Sequence, residues 1–201
     1  MRARLALAMS GQSIILREVE LKNRPPELTE ISAKSTVPVL LLDDGTVFEE
    51  SLQIMHWTLG NADPESWLGA SDAQQEAMSK LIQKCDGEFK HHLDRYKYAN
   101  RYEGVHAEEH RELASVFLNE LQERLQKNRF LFGQSACLAD MAIAPFVRQF
   151  AFADRTWFDA QPWKELIVWL DAFTASPLFL SIMEKHKPWT PDASPLCITW
   201  N

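Results

Sequence analysis

The sequence predicts a small α/β unit followed by an all-α unit. Three observations lead there. Within residues 1–60, helical and strand-like apolar patterns alternate. Beyond Asn61-Ala62-Asp63-Pro64 the strand patterns stop, and apolar residues recur only at helical steps. The chain has 201 residues, 46% hydrophobic and 24% charged, an ordinary globular composition with enough length for a sizeable core. The expected division is an α/β domain over 1–60, a linker over 61–71 and a helical domain over 72–201.

In the first part, Arg2 to Ser10 reads as a helix with Leu5, Ala6 and Met9 along one face and Gly11 as its stop. Ile14 to Val19 is β-branched and apolar, hence a strand. Pro25 and Pro26 open a helix to about Ala33, where a missing N–H costs least. Val37 to Leu42 is a continuous apolar run of strand length, expected to be buried on both faces. Asp43-Asp44-Gly45 is a hairpin turn and Thr46 to Phe48 the return strand. Ser51 to Leu59 is a helix with Leu52, Met55 and Leu59 on one stripe.

In the second part, Ala77, Leu81, Cys85, Phe89 and Leu93 mark one helix from Asp72 to about Tyr98. Leu113, Phe117, Leu121 and Leu125 mark another at four-residue steps. Leu138 to Ala153 is hydrophobic nearly all round, as a central buried helix is, and Pro145 is expected to kink it. Trp163 to Thr174 and Leu178 to Lys185 are shorter helices. The tail, with Pro188, Pro191 and Pro195, is expected to lie extended over the surface.

A net charge of -7 argues against a general nucleic-acid binder, which needs a basic face. No apolar run approaches the roughly 20 residues that span a bilayer, so no membrane partner is expected. The three cysteines, Cys85, Cys137 and Cys197, are widely spaced and lack a Cys-x-x-Cys pair. They form neither a disulfide framework nor a metal site, which fits a reducing cytoplasm.

One region suggests a ligand. The Val37-Pro38 bond sits before a strand, where a cis X-Pro bond turns the chain sharply. Val37 would then offer its N–H and C=O to an extended peptide, as an open sheet edge does. Glu50-Ser51 lies at a helix start, where free amides and a partial positive charge favour a carboxylate. Ser51 adds a hydroxyl, and Glu50 can pair with an ammonium. Arg24 can grip a second carboxylate in a bidentate fork. Singly, each feature has a plain structural role: Pro38 starts a strand, Glu50 and Ser51 cap a helix, and Arg24 is a surface arginine.

Taken together, Leu21-Lys22-Asn23-Arg24-Pro25, Thr36-Val37-Pro38-Val39-Leu40, Asp44-Gly45 and Glu50-Ser51 resemble the amino-terminal domain of cytosolic glutathione transferases. The match is closest to the omega-like and bacterial cysteine-type classes. Leu138-Ala139-Asp140-Met141-Ala142 with Pro145-Phe146 resembles that family's buried helix and capping box. The resemblance covers nearly the whole chain. It implies a thioredoxin-like domain followed by the family's helical domain. It assigns Val37 to the cysteinyl backbone of glutathione and makes Pro38 the cis-proline. Glu50 and Ser51 would hold the γ-glutamyl head group, and Arg24 the glycyl carboxylate. Arg95, Tyr96 and Tyr98 would border the second-substrate pocket. The cosubstrate is glutathione and no metal is implied. The other partners are a small electrophilic or disulfide substrate and a second copy of the chain.

The pattern departs from the family at its start. The first strand and the turn bearing a catalytic Cys, Ser or Tyr are expected before Met1, about 10 to 20 residues upstream. Without that strand, Ile14–Val19 and Val37–Leu42 would be left with unpaired backbone. Arg2 and Arg4 also stand at the positive end of their helix. Two further departures are Cys137, a weak cap expected to cost about 1 kcal/mol, and Ala33-Lys34-Ser35, where Pro and Gly are common.

Other constellations carry less. His106-Ala107-Glu108-Glu109-His110 matches a metal-hydrolase pattern but sits at a polar helix start without a third ligand. Cys85 lies on an apolar stripe and reads as core. Trp157, Trp163, Trp169 and Trp189 read as packing. Two functions are therefore expected: a glutathione-dependent transferase or thiol transferase, or a non-catalytic glutathione-binding or scaffold protein of the same fold.

Overall fold

The computed structural model describes residues 1–200. Two compact units emerge: Met1–Pro64 together with the chain from Pro177 onward, and Glu65–Ser176. The first mixes strands with helices and the second is helical. The last helix and the tail, expected with the helices of 72–201, belong to the first unit.

In the first unit, α1 (Arg2–Ser10) buries Leu5 and Ala6 completely. It ends at Gly11, whose φ of 65° is the left-handed conformation that glycine adopts without steric cost. Arg4 reaches back to Glu18 at 2.5 Å, so a cation at the positive end of α1 has a carboxylate partner. α1 packs on α3 (Ser51–Asn61) and α10 (Pro177–Ile182). The buried face of α3 is Ile54, Met55, Thr58 and Leu59, while Leu52 is half-buried.

The strands are shorter than the sequence predicts. β1 covers Ile14–Leu16, and its partner is β4 (Leu196–Ile198). They run antiparallel, with Ile14 opposite Ile198 and Leu16 opposite Leu196. The tail does run exposed over the surface from Pro191 to Cys197, as expected, but it ends as a strand paired with β1, and Trp200 is buried. Trp189 N–H also donates to the Glu18 carbonyl at 2.8 Å.

α2 (Pro26–Ile31) has Pro25 at its cap and Pro26 at its first position. β2 (Leu40–Leu41) pairs antiparallel with β3 (Val47–Phe48) around Gly45, whose φ is 86°. Asp44 Oδ1 accepts the Thr46 N–H at 2.8 Å and closes the turn. The expectation that Val37–Leu42 is buried on both faces fails: Leu41 is 49% exposed and Val37 43%. The reason is local. Among the described residues β2 pairs only with β3, and β1 and β2 lie in separate two-stranded sheets.

In the second unit, α4 (Asp72–Lys84) passes through a π-turn (Cys85–Phe89) into α5 (Lys90–Lys97). The expected single helix is thus one helical run with a π segment at Gly87. Ser71 caps it by accepting the Gln74 N–H. α6 (Ala107–Leu125) buries Ala114, Phe117, Leu118, Leu121 and Leu125, but Leu113 is 44% exposed. Four-residue steps advance about 40° past a full turn each, so the first leucine of that series leaves the core face.

α7 (Leu138–Ala151) runs through Pro145 at the centre of the unit. Its start is anchored by Asp140, which accepts from Leu131 N–H (3.0 Å), Cys137 N–H (3.0 Å), Cys137 Sγ (3.1 Å) and Trp169 Nε1 (2.9 Å). Cys137 does stand at the cap, and the carboxylate of Asp140 satisfies the amides there. α8 (Arg155–Asp159), not expected from the periodicity, starts at Asp154, whose carboxylate accepts the Trp157 N–H. α9 (Lys164–Ala175) is tied to α6 by buried Gln122, which accepts the Leu166 N–H at 2.9 Å and donates to Glu165. Trp163 Nε1 donates to Asn119 at 2.7 Å, and with Trp169 it packs as core. Among the described residues no helix is long and apolar enough to cross a membrane.

Candidate functional site

The β2–β3 hairpin positions the first unit's candidate residues. Leu40 faces Phe48, Leu41 faces Val47, and Leu42 N–H bonds Thr46 O. The chain enters β2 from Val37-Pro38 and leaves β3 into Glu50-Ser51, so these four residues flank the open end of the hairpin in sequence. The Val37-Pro38 peptide is cis, as expected from its place before the strand. Val37 is 43% exposed and lies outside both strands.

Glu50 is the cap residue of α3, with extended backbone at φ -110° and ψ 132°, and its side chain makes no capping bond. Ser51 is the first helical residue. The Ile54 N–H is the first to find a backbone carbonyl in α3, at Glu50, so the amides of the turn before it remain available to an anion. The two neighbouring carboxylates point to different partners. Glu49 accepts from Ser32 Oγ at 2.5 Å, and Glu50 pairs with Lys34 at 2.6 Å. Both ends of the Lys34–Glu50 pair are exposed. The Glu50 carboxylate raises the Lys34 ammonium above its ordinary value.

Four of the five residues expected at this site, Val37, Pro38, Glu50 and Ser51, therefore share one end of the hairpin. Arg24 stands apart: it is exposed just before α2, and no hydrogen bond or ion pair among the described residues joins it to the others. Lys34 was not anticipated at the site. Its signal was present, because it is the one cation in the turn that leads into Ser35-Thr36-Val37-Pro38. Ser35 holds that turn at φ 49°, a left-handed conformation where glycine is more usual.

The three residues expected near a second substrate diverge. Arg95 stacks over Tyr102, 4.7 Å from its ring centre, and bonds His91 through its ring nitrogen and carbonyl. Tyr96 turns inward against Phe150, with ring centres 5.0 Å apart. Burial raises its phenol above the ordinary value, opposed by a hydrogen bond from Arg111. Arg111 in turn lies 4.2 Å from the Trp157 ring. Tyr98 ends α5; its hydroxyl accepts from Gln149 at 3.3 Å and its ring carries Arg101 at 4.2 Å. Among the described residues their hydrogen bonds and ring contacts run to different partners.

His106 and His110 do not converge as the metal pattern would need. His106 is the exposed cap of α6, and His110 Nδ1 instead meets His92 Nδ1 at 2.7 Å. Among the described residues no group of three or more His, Cys, Asp or Glu could hold a metal ion. The partner of His110 lies 18 residues away on another helix, which no short motif reveals.

Comparison with known proteins agrees with this geometry. Residues 1–67 match the glutathione S-transferase N-terminal domain and residues 105–172 the glutathione S-transferase C-terminal domain. No curated protein matches the sequence. Among solved structures, a glutathione S-transferase domain-containing protein of Marinobacter aquaeolei VT8 is 23% identical with a TM-score of 0.73, over 89% of this chain and 93% of that one. A glutathione S-transferase of Rhodospirillum rubrum F11 is 19% identical with a TM-score of 0.75, over 97% and 90%. A glutathione transferase family member of Pseudomonas fluorescens pf-5, solved with two glutathione bound, is 17% identical with a TM-score of 0.78, over 90% and 86%. These likenesses establish the fold, a mixed β/α region followed by an all-α region, and the two domain matches establish the lineage. The chain belongs to the glutathione S-transferase superfamily.

Proposed function

We propose that the first unit binds glutathione and that the protein is a glutathione-dependent transferase or thiol transferase. The observation that supports this is the cis Val37-Pro38 bond leading into a hairpin that runs out into Glu50-Ser51 at the start of α3, in a chain whose residues 1–67 match the glutathione S-transferase N-terminal domain. An extended peptide can pair with the backbone of Val37. Its γ-glutamyl carboxylate would meet Ser51 and the free amides of α3, and its ammonium would meet Glu50. Arg24 would hold the glycyl carboxylate. Arg95, Tyr96 and Tyr98 would border the second substrate, a small electrophile or disulfide.

Activity requires glutathione sulfur as the thiolate, which is the nucleophile. In conjugation it forms a bond to the electrophilic carbon while a leaving group departs with its electron pair or, at an activated double bond, the π pair moves to the neighbouring atom and takes up a proton. In thiol transfer it attacks a disulfide sulfur and the other sulfur leaves as a thiolate. The group that faces this sulfur is proposed to be a cysteine, as in the cysteine-type classes. A homodimer and a reducing cytoplasmic setting complete the proposal.

A second reading is a non-catalytic glutathione-binding or scaffold protein. One observation favours it: Lys34 already occupies Glu50, as a ligand ammonium would. Calorimetric titration with glutathione tests the binding claim. Ser51→Ala is expected to weaken affinity roughly tenfold, the scale of one charge-assisted hydrogen bond. Absence of binding by the parent protein would remove the ligand assignment. Conjugation and thiol-transfer assays separate the two readings: binding without either activity would favour the scaffold.

A further inference from the structure

We propose that His92 and His110 form an acid-sensitive latch between α5 and α6, closed when the two imidazoles share one proton and opened when both are protonated. The geometry dictates the two states. The Nδ1 atoms lie 2.7 Å apart, a distance that requires one N–H donor and one bare nitrogen acceptor. A second proton would place two N–H groups head to head and two positive charges within one hydrogen-bond length. The rings are also stacked at a tilt, with centroids 5.0 Å apart, so a second positive charge would be held close to the first.

The surroundings hold the pair in its singly protonated or neutral form. His91 stands edge-on to His92 at 5.0 Å between centroids and lies 6.1 Å from His110. Arg95, bonded to His91, adds a permanent positive charge. Glu88 of the π-turn favours a charged His92, and Glu109 of α6 favours a charged His110. Burial is the largest influence on each ring, and it lowers both below the ordinary histidine value. His92 lies on α5 and His110 on α6, two helices that pack together, and both rings are partly exposed.

The sign of the effect follows. A folded-state value below the unfolded one, about 6.5, means that the unfolded chain binds more protons in the interval between them. Stability contributed by the neutral rings is therefore complete above about pH 6.5 and is lost as pH falls through the interval. Each unit by which a ring is depressed is about a tenfold change in the folded-to-unfolded ratio once the interval has been crossed. α5 also carries Arg95 and Tyr96 and ends at Tyr98. Opening the latch would thus shift the side chains of the proposed second-substrate pocket, a consequence that rests on the functional reading above.

Histidine ring NMR against pH tests the latch directly, without glutathione or any activity. In the parent protein, His92 and His110 are expected to titrate as a coupled pair, with the second proton binding well below pH 6.5. His110→Gln can still hydrogen-bond but cannot titrate, and it should return His92 to a single curve nearer the ordinary value. Urea unfolding at pH 7.5 and pH 5 gives an independent readout: the parent should lose a larger fraction of its folded-to-unfolded ratio than His110→Gln. The proposal is overturned if His92 titrates as a simple curve near 6.5 in the parent. It is equally overturned if parent and variant lose stability in parallel.

Discussion

Lys34 Nζ lies 2.6 Å from Glu50 Oε1, so the carboxylate proposed to receive a ligand ammonium already holds an internal one. A ligand must exchange with Lys34, and the exposed pair is weak enough to be exchanged, since such pairs are worth about 0–1 kcal/mol. Lys34→Ala is therefore expected to tighten glutathione binding by up to about fivefold, and Glu50→Gln to weaken it. Calorimetric titration of both variants checks the pair. Equal affinity for the parent and both variants would show that Glu50 does not contact the ligand.

Asp140 gathers four donors from three segments of the helical unit and is itself buried. Burial pushes its carboxyl above the ordinary value, against those donors, which favour the anion. Asp140→Ala would strand the Trp169 indole N–H and the Leu131 and Cys137 amides without acceptors. A loss of about 3–5 kcal/mol is expected in urea unfolding. A loss below about 1 kcal/mol would mean that water or relaxation replaces the carboxylate.

Cys137 occupies the cap of α7 with a weak donor. Serine has nearly the same shape and a stronger hydroxyl. Cys137→Ser is expected to stabilise the helical unit by about 1 kcal/mol. Thermal unfolding would show this as a rise of about 2–4 °C for a chain of this size. A fall would mean that the sulfur fills space that oxygen does not.

Thiol reactivity should be divided sharply. Cys197 is exposed on β4, while Cys85 and Cys137 are buried and burial pushes the Cys137 thiol far above its usual range. In the native protein one thiol is expected to react rapidly with an aromatic disulfide reagent, and Cys197→Ser should abolish that phase. Two or three fast thiols in the parent would show that the buried sites open readily.

The local grammar of the chain was legible. Pro25 and Pro26 opened α2, Gly11 closed α1, Asp43-Asp44-Gly45 made the β2–β3 turn, and the apolar stretch from Leu138 became the buried α7. These features rest on backbone sterics and short-range periodicity, which act within a few residues. The hairpin was legible too, because the turn at Gly45 fixes the pairing of Leu40 with Phe48 and Leu41 with Val47, and Val37-Pro38 and Glu50-Ser51 flank its open end in sequence. Leu113 shows where periodicity misleads: a run of four-residue steps drifts around the helix, and its first member lies outside the core.

By itself the sequence determined the order of α/β and helical segments, the turn chemistry and the motif set of a glutathione transferase relative. Only the tertiary structure decided that Leu196–Ile198 pairs with β1, that Lys34 occupies Glu50, and that His110 meets His92 and not a metal with His106. Pairs such as these join residues between 16 and 184 positions apart. They form because burial and unpaired backbone or charge select the nearest partner in space, and no local pattern encodes which partner that will be.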